Sequence, residues 1–306
     1  CNFAASIKAS IMYDWNDLRI FIAVSRSHTL AEASRQLGLD ATTIARRITR
    51  LSDDLQAQLF EGNGPERRLT EAGQKLLRYA ERIEDAAMAA AEDVTGERRS
   101  LSGQVRLSVS EGFATWVLAP RLHLLSARHP DIRLDIITAS GFLNPSKREA
   151  DMAVMLARPK RGRLTVRKLG DYRLHLYASL KYIAKAGMPD SRETLSGHPL
   201  VGYVPEFLFA PELNYLDEVE QGLEATLRSS SINVQHQMIA QGAGIGVLPD
   251  FIGEPDPLLC RVLPDMVEIK RTFWLVTHAE LARLARIEAV SSWLSECAAT
   301  LRTFDP

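Results

Sequence analysis

Cysteine is scarce in this chain. Three occur in 306 residues, at Cys1, Cys260 and Cys297, and so wide a spacing excludes the dense disulfide framework of a small secreted domain. Charge of one sign is lacking too: 37 Lys and Arg stand against 38 Asp and Glu, for a formal net charge of -1, so the chain as a whole is no polycation. No apolar run approaches the ~20 residues that a membrane-spanning helix requires. The opening CNFAASIKASI has no basic region followed by an apolar core, so it makes a poor export signal, and residues 1–11 are expected to be a disordered extension. The seven histidines are scattered singly without metal-ligand spacing, and no Gly-x-Ser-x-Gly elbow, Walker loop or paired catalytic carboxylate is visible. The GAGIG run at 242–246 follows a helical pattern and enters a strand, the reverse of the dinucleotide fingerprint, so Gly242 reads as a helix C-cap. These absences set the expectation of a cytoplasmic protein that is not an enzyme, holds no metal or cofactor and does not enter a membrane.

What is present centres on Thr29 to Leu55, TLAEASRQLGLDATTIARRITRLSDDL. Thr29 with Glu32 three residues on makes a capping box, and Gly38 can take the left-handed conformation that ends a helix. Asp40 caps a second helix whose inward face is Ile44, Ile48, Leu51 and Leu55. Its other face offers Ala41, Thr42, Thr43, Arg46, Arg47 and Arg50. Small and hydroxyl residues in a first turn let a helix approach base edges, and arginines one turn later reach guanines or phosphates. An ordinary helical hairpin with a solvated arginine face is the plainer alternative. The next segment weighs against it: Leu59-Phe60 starts a strand, Gly62-Asn63-Gly64-Pro65 is a turn, and Arg67-Arg68-Leu69 resumes the strand. A wing of this kind would carry Arg67 and Arg68 to the DNA backbone or minor groove. Upstream, Asp14 to Ser25 reads as a scaffold helix packing Leu18, Phe21 and Ile22 beneath the hairpin, with Arg19 and Arg26 solvated.

The run from Asp14 to Leu77 resembles the N-terminal domain of LysR-type transcriptional regulators, carried by DLRIF at 17–21, Ala33, the Arg46-Arg47 pair, Leu59-Phe60 and LTEAG at 69–73. It departs in opening the recognition helix with Asp40-Ala41-Thr42-Thr43 and in placing Glu61 and Glu66 in the wing, so a DNA sequence preference does not carry over. The resemblance implies a DNA-binding set of Thr29, Ala41, Thr42, Thr43, Arg46, Arg47, Arg50, Arg67 and Arg68.

From Glu71 to about Arg98 the pattern is one long helix. Leu69, Gly73, Leu76, Ala80, Ile83, Ala87, Ala90 and Val94 alternate spacings of four and three, a seam sustained over more than three heptads. At ~1.5 Å per residue it would be about 40 Å long. The seam residues Leu76, Ala80, Ile83, Ala87, Ala90 and Val94 therefore read as a dimerisation face, the role this segment has in the family.

GERRSLSG at 96–103 marks a boundary, after which strands alternate with helices. The expected organisation is an extension at 1–11, a winged helix-turn-helix at 12–70, a linker helix at 71–98 and an α/β domain at 99–306. The last would be two-lobed, with lobe I at about 104–172 and 278–306 and lobe II at about 173–277, like periplasmic binding proteins. Short matches in SKREADMAV, LYAS and QGAGIGVLP extend the family resemblance to this region, and the crossovers would lie near Tyr172-Arg173 and Thr277-His278. Ligands of open α/β sheets sit beyond the carboxyl ends of strands, near helix N-termini. Ser110, Glu111, Gly112 and Phe113 meet that rule, as do Thr138, Ala139 and Ser140, then Tyr203 and Val204, then Ser230 and Ser231. The family's cleft often receives carboxylates; Glu111 would repel one, or bind a ligand's amine or hydroxyl. A plain helix cap is the other reading for each serine. Cys260 and Cys297 read as buried structural thiols more readily than as a redox pair.

Two functions follow as expectations. The first is a sequence-specific DNA-binding transcriptional regulator. It would form dimers or tetramers on a pseudo-palindromic promoter site, would be controlled by a small-molecule effector between two lobes, and would admit RNA polymerase as a further partner. The alternative, a solute-binding protein with an appended helical region, leaves the helix-turn-helix, wing and long helix unexplained.

Overall fold

The structure, a computed structural model, describes residues 13–27, 29–62, 67–95, 101–138, 145, 149–159, 161–208 and 210–301. The extension expected at 1–11, Glu66 of the wing, and Ala139 and Ser140 lie outside the described residues. The chain divides into two compact units, Cys1–Glu97 and Arg98–Pro306.

The first unit runs α1 (Trp15–Arg26), α2 (Leu30–Leu37), α3 (Ala41–Asp54), β1 (Phe60–Glu61), β2 (Arg68–Leu69) and α4 (Glu71–Thr95). Each helix begins where a side-chain oxygen can take an orphan N–H. Asp14 accepts from Asn16 at 2.9 Å, Thr29 from Glu32 at 3.2 Å, Asp40 from Thr43 at 2.8 Å and Thr70 from Gly73 at 3.0 Å. Gly38 ends α2 at φ 64°, ψ 28°, a left-handed conformation that costs a residue with a Cβ roughly 1 kcal/mol or more. The core joins Leu18, Phe21 and Ile22 of α1, Ala33 of α2, and Ile44, Ile48 and Leu51 of α3 with Leu59 and Ala80. Burial of each large side chain contributes about 1.5–3 kcal/mol. The wing strands pair antiparallel, Phe60 opposite Leu69. Beside them, a Cβ on Gly73 would sit 2.1 Å from the Leu59 carbonyl oxygen, so α4 can leave the wing this closely only through a glycine.

The seam of α4 divides into two parts. Leu76, Ala80 and Ile83 pack against the core of their own unit, Ala80 with no exposure. The apolar spacing that suggested a partner over the whole helix is there satisfied internally, because α1 lies along the first half of α4 and Arg26 pairs with Glu84 at 2.8 Å. Ala87 and Ala90 are exposed, and Val94 is 87% exposed.

The second unit is built on one sheet of order β4-β3-β5-β11-β6-β9-β7-β8, with β10 paired to β6. The strands are β3 (Gly103–Val109), β4 (Ile132–Ile137), β5 (Met152–Met155), β6 (Leu164–Ser179), β7 (Leu200–Gly202), β8 (Leu227–Arg228), β9 (Ile245–Pro249), β10 (Leu259–Val262) and β11 (Ile269–His278). Three parallel strands, β4, β3 and β5, form one half, and β7, β8 and β9 form a second parallel set. The long antiparallel pair β6 and β11 belongs to both. β6 begins at Leu164, so it runs through the expected crossover at Tyr172-Arg173. The passage of β11 falls at the register shift between Phe273 and Trp274, not at Thr277-His278, since β11 pairs β5 only through Trp274–Thr277.

Short helices follow the strands: α5 (Glu111–Phe113), α6 (Leu122–Arg128), α7 (Leu180–Ala186), α8 (Tyr215–Val219), α9 (Ile232–Ala240), α10 (Asp250–Gly253) and α11 (Ala285–Ala299). On the last helix Ile287, Val290 and Leu294, with Leu284 just before it, are buried. Gly242 follows α9 at φ 86° and donates to the Ile239 carbonyl, the C-cap position expected of it.

Candidate functional site

The outward face of α3 presents Ala41, Thr42 and Arg46, all exposed, at the start of a helix fixed by Asp40. Thr43 braces that cap twice: its hydroxyl donates to Asp40 Oδ2 at 2.7 Å while its N–H donates to Oδ1. These two bonds hold the Asp40 carboxyl below the usual carboxylate range. Thr29 caps α2 in the same way, so its hydroxyl acts first as scaffold.

Arg50, one turn on from Arg46, is exposed as well, and Arg47 is half-buried. One helical turn apart, Arg47 and Arg50 converge on Asp17 of α1, whose carboxylate has no exposure. Arg47 Nη1 donates to Asp17 Oδ1 at 2.9 Å, and Arg50 Nε donates to Oδ2 at 2.6 Å. Arg50 Nη2 also reaches Asp14 at 3.0 Å. The hydrogen bonds with Asp17 raise the Arg50 pKa further. A buried carboxylate without such partners would be costly, so the pair of arginines is what permits Asp17 to lie under α3. These ion pairs tie α1 to α3, while Arg50 stays exposed and Arg47 half-buried, so both still reach the helix surface. In the wing, Arg68 is exposed, but Arg67 lies with its guanidinium 4.0 Å from the centre of the Phe60 ring, and burial lowers its pKa. Arg67, half-buried, thus also packs on Phe60 within the wing.

In the second unit a cavity of about 220 Å³ opens at the carboxyl ends of the strands. Ser110, Glu111, Gly112, Phe113, Thr138, Tyr203, Ser230 and Ser231 all line it, as expected from the sequence. Val204 does not: successive residues of extended chain face opposite ways, and beyond β7 it is Tyr203 that turns inward. Sequence reasoning missed the aromatic walls, Tyr172 and Phe273 from the crossing strands, Tyr215 from α8 and Phe251 from α10. The Tyr172 and Phe273 rings stack 4.2 Å apart, Phe113 lies 4.5 Å from Phe273, and Tyr203 meets Tyr215 edge-on at 5.9 Å. No local periodicity links these aromatics, which lie as far apart as Tyr172 and Phe273.

Burial raises the Tyr172, Tyr203 and Tyr215 hydroxyls well above their ordinary range, so all three remain protonated near neutrality. Ser231 is both a cap and a wall residue. Its hydroxyl accepts from Val234 N–H at 3.2 Å and donates to Glu111 Oε1 at 2.9 Å. Ser110, by contrast, makes no capping bond with its side chain. Two more bonds tie the segment after β3 to α9: Trp116 donates to Asn233 at 2.8 Å, and Asn233 donates to Thr115 at 3.0 Å. The cysteines stand apart from this site. Cys260 is half-buried and Cys297 buried, both free, and burial pushes the Cys297 thiol up to about 11. Among the described residues no group of His, Cys, Asp and Glu forms a metal site, and no helix is long and apolar enough to cross a membrane.

A family model for the LysR substrate binding domain matches residues 98–299, and one for bacterial regulatory helix-turn-helix proteins of the lysR family matches residues 15–74. The chain is 28% identical over 283 residues to the Mau operon transcriptional activator of Paracoccus denitrificans, covering 92% of this chain and 96% of that protein. It is 27% identical over 253 residues to the HTH-type transcriptional regulator CrgA of Neisseria meningitidis serogroup C, covering 82% and 85%. The solved structure of CrgA superposes with a TM-score of 0.58 at 26% identity, covering 92% of this chain and 97% of that one. The Corynebacterium glutamicum OxyR C206 mutant, at 19% identity and a TM-score of 0.64 over 95% and 94%, shares the fold. With a winged helix-turn-helix at one end and a cavity-bearing α/β domain at the other, the chain belongs to the LysR family of DNA-binding transcriptional regulators.

Proposed function

We propose that this regulator binds a two-fold symmetric promoter site as a dimer, with Arg46 as its principal base-reading arginine. The observation that carries this reading is the division of labour on α3: Arg46 is exposed beside Ala41 and Thr42, while Arg47 and Arg50 are held by Asp17. A helix anchored so firmly presents its first turns in one orientation, which is what discrimination among bases requires. Arg68 would meet the phosphate backbone. Self-association through Ala87, Ala90 and Val94, on the half of α4 that its own unit leaves exposed, would place two recognition helices on two half-sites. RNA polymerase would be contacted from the assembly on DNA, in the cytoplasm.

The cavity ringed by Tyr172, Tyr203 and Phe273 would take the effector. Its walls come from the segments that β6 and β11 join, so a bound molecule would change how those segments sit against each other and so bias the arrangement of the dimer. The test is selection of sites from a genomic fragment pool by the purified chain at two salt concentrations. Enrichment of sites with two-fold symmetry, with log K falling by ~0.9 per phosphate contact as log salt rises, supports the proposal. Retention of DNA without enrichment would refute specific recognition.

A further inference from the structure

We infer that the cavity takes an organic cation, a small molecule whose ammonium group sets against Glu111 and whose apolar or aromatic body lies among the surrounding rings. The inference rests on the reading of this cavity as the effector site. Three observations carry it.

The first is the charge of the walls. Glu111 is the one acidic side chain among the described lining residues, and none of these is Lys, Arg or His. Arg271 approaches from beyond the wall, but its guanidinium donates to the Glu212 carbonyl and to the Glu218 carboxylate. Among the described lining residues, an incoming carboxylate would therefore find a like charge and no counter-charge.

The second is that the ordinary anion slot is already taken. The N-terminus of α9 is the feature that would draw a ligand's carboxylate. Here Ser231 caps that end and at the same time donates to Glu111 at 2.9 Å. The protein thus supplies its own anion at the helix end. The carboxylate keeps further lone pairs for a donor, and an ammonium brings up to three.

The third is the aromatic surround. The face of a ring carries negative potential, and a cation gains when it is desolvated against such faces. Phe113, Tyr172, Tyr203, Tyr215, Phe251 and Phe273 line the space, and the buried tyrosine hydroxyls, protonated near neutrality, can accept from an N–H. At about 220 Å³ the space falls below the ~300–1,000 Å³ of drug-sized sites, so the body is small.

The experiment is calorimetric titration of the full chain with benzylammonium and 2-phenylethylammonium against benzoate, phenylacetate and benzyl alcohol, in the natural protein and in Glu111→Gln. The substituted amide would keep an acceptor for Ser231, and an unchanged thermal transition would show that the fold is intact. The expected result is ammonium binding roughly tenfold or more tighter than carboxylate binding, reduced by a similar factor in Glu111→Gln. Tighter binding of the carboxylates or of the alcohol, or ammonium affinity unaffected by Glu111→Gln, would overturn the cationic ligand while leaving the cavity as the effector site. No heat from any compound, in a preparation that still binds DNA, would overturn both.

Discussion

The two functional surfaces of this molecule are assembled on opposite plans. The reading face of α3 comes from one unbroken stretch, Ala41 to Arg50, whose spacing alone says which residues point outward. The cavity draws its walls from segments as far apart in the chain as Val109 and Phe273, brought together by two strands that run through the sheet. A continuous surface is open to reading by periodicity, and a discontinuous one only by a rule about where strands end. Even the continuous surface had a hidden component. Asp17, 30 residues before Arg47, also bonds two of the three arginines, a contact that spacing within α3 does not show.

That contrast can be broken by substitutions that should act on one plan and not the other. The largest effect is expected at Ala80, which has no exposure: Ala80→Asp would bury a charge without a partner and cost about 3 kcal/mol or more, melting the first unit. Val94→Asp on the same helix, at a position 87% exposed, should leave the thermal transition in place and reduce the mass in solution to that of a monomer. Circular dichroism and light scattering read the pair, and an unchanged mass would place the association surface elsewhere. Next in size is Asp17→Ala, which removes the buried partner of both Arg47 and Arg50 and leaves Asp14 as their exposed one. Loss of two charge-assisted hydrogen bonds should cost about 2–3 kcal/mol, read by denaturant unfolding of the first unit. If stability did not change, the ion pairs would not be the tie described.

The smallest effect concerns the second unit. The Cys297 thiol titrates at about 11 when folded against 9.0 when exposed, because burial disfavours the thiolate. Between pH 9 and 11 the unfolded chain therefore holds fewer protons than the folded one, and stability falls as pH rises through that window. Cys297→Ala should flatten the slope, and mapped thiol labelling near neutral pH should reach Cys297 only after unfolding. Rapid native labelling would contradict the burial.

Much of this was legible beforehand. Thr29, Gly38 and Asp40 are short-range signals, each acting within a few residues, and every one caps or ends the helix it was expected to. Ser110 to Phe113 and Ser230-Ser231 were found because strand ends and helix starts are themselves local. What escaped were pairings across distance. Leu76, Ala80 and Ile83 have the spacing of a dimer seam, yet α1 covers them, and a sequence pattern does not distinguish an intramolecular neighbour from a partner. Arg67 looks like a DNA contact by type and place, but the Phe60 ring beneath it becomes visible only when β1 and β2 pair. The tyrosines and phenylalanines of the cavity carry no motif, since their common property is the space they enclose.

The most direct measurement is the affinity of Arg46→Ala for a selected site and for a series of single-base variants of it. The expected result is a loss of about 1–3 kcal/mol on the intact site, with discrimination lost at one base pair per half-site and an unchanged unfolding transition. An equal loss on every sequence would contradict the assignment, showing Arg46 to be a phosphate contact and leaving base reading to another part of α3.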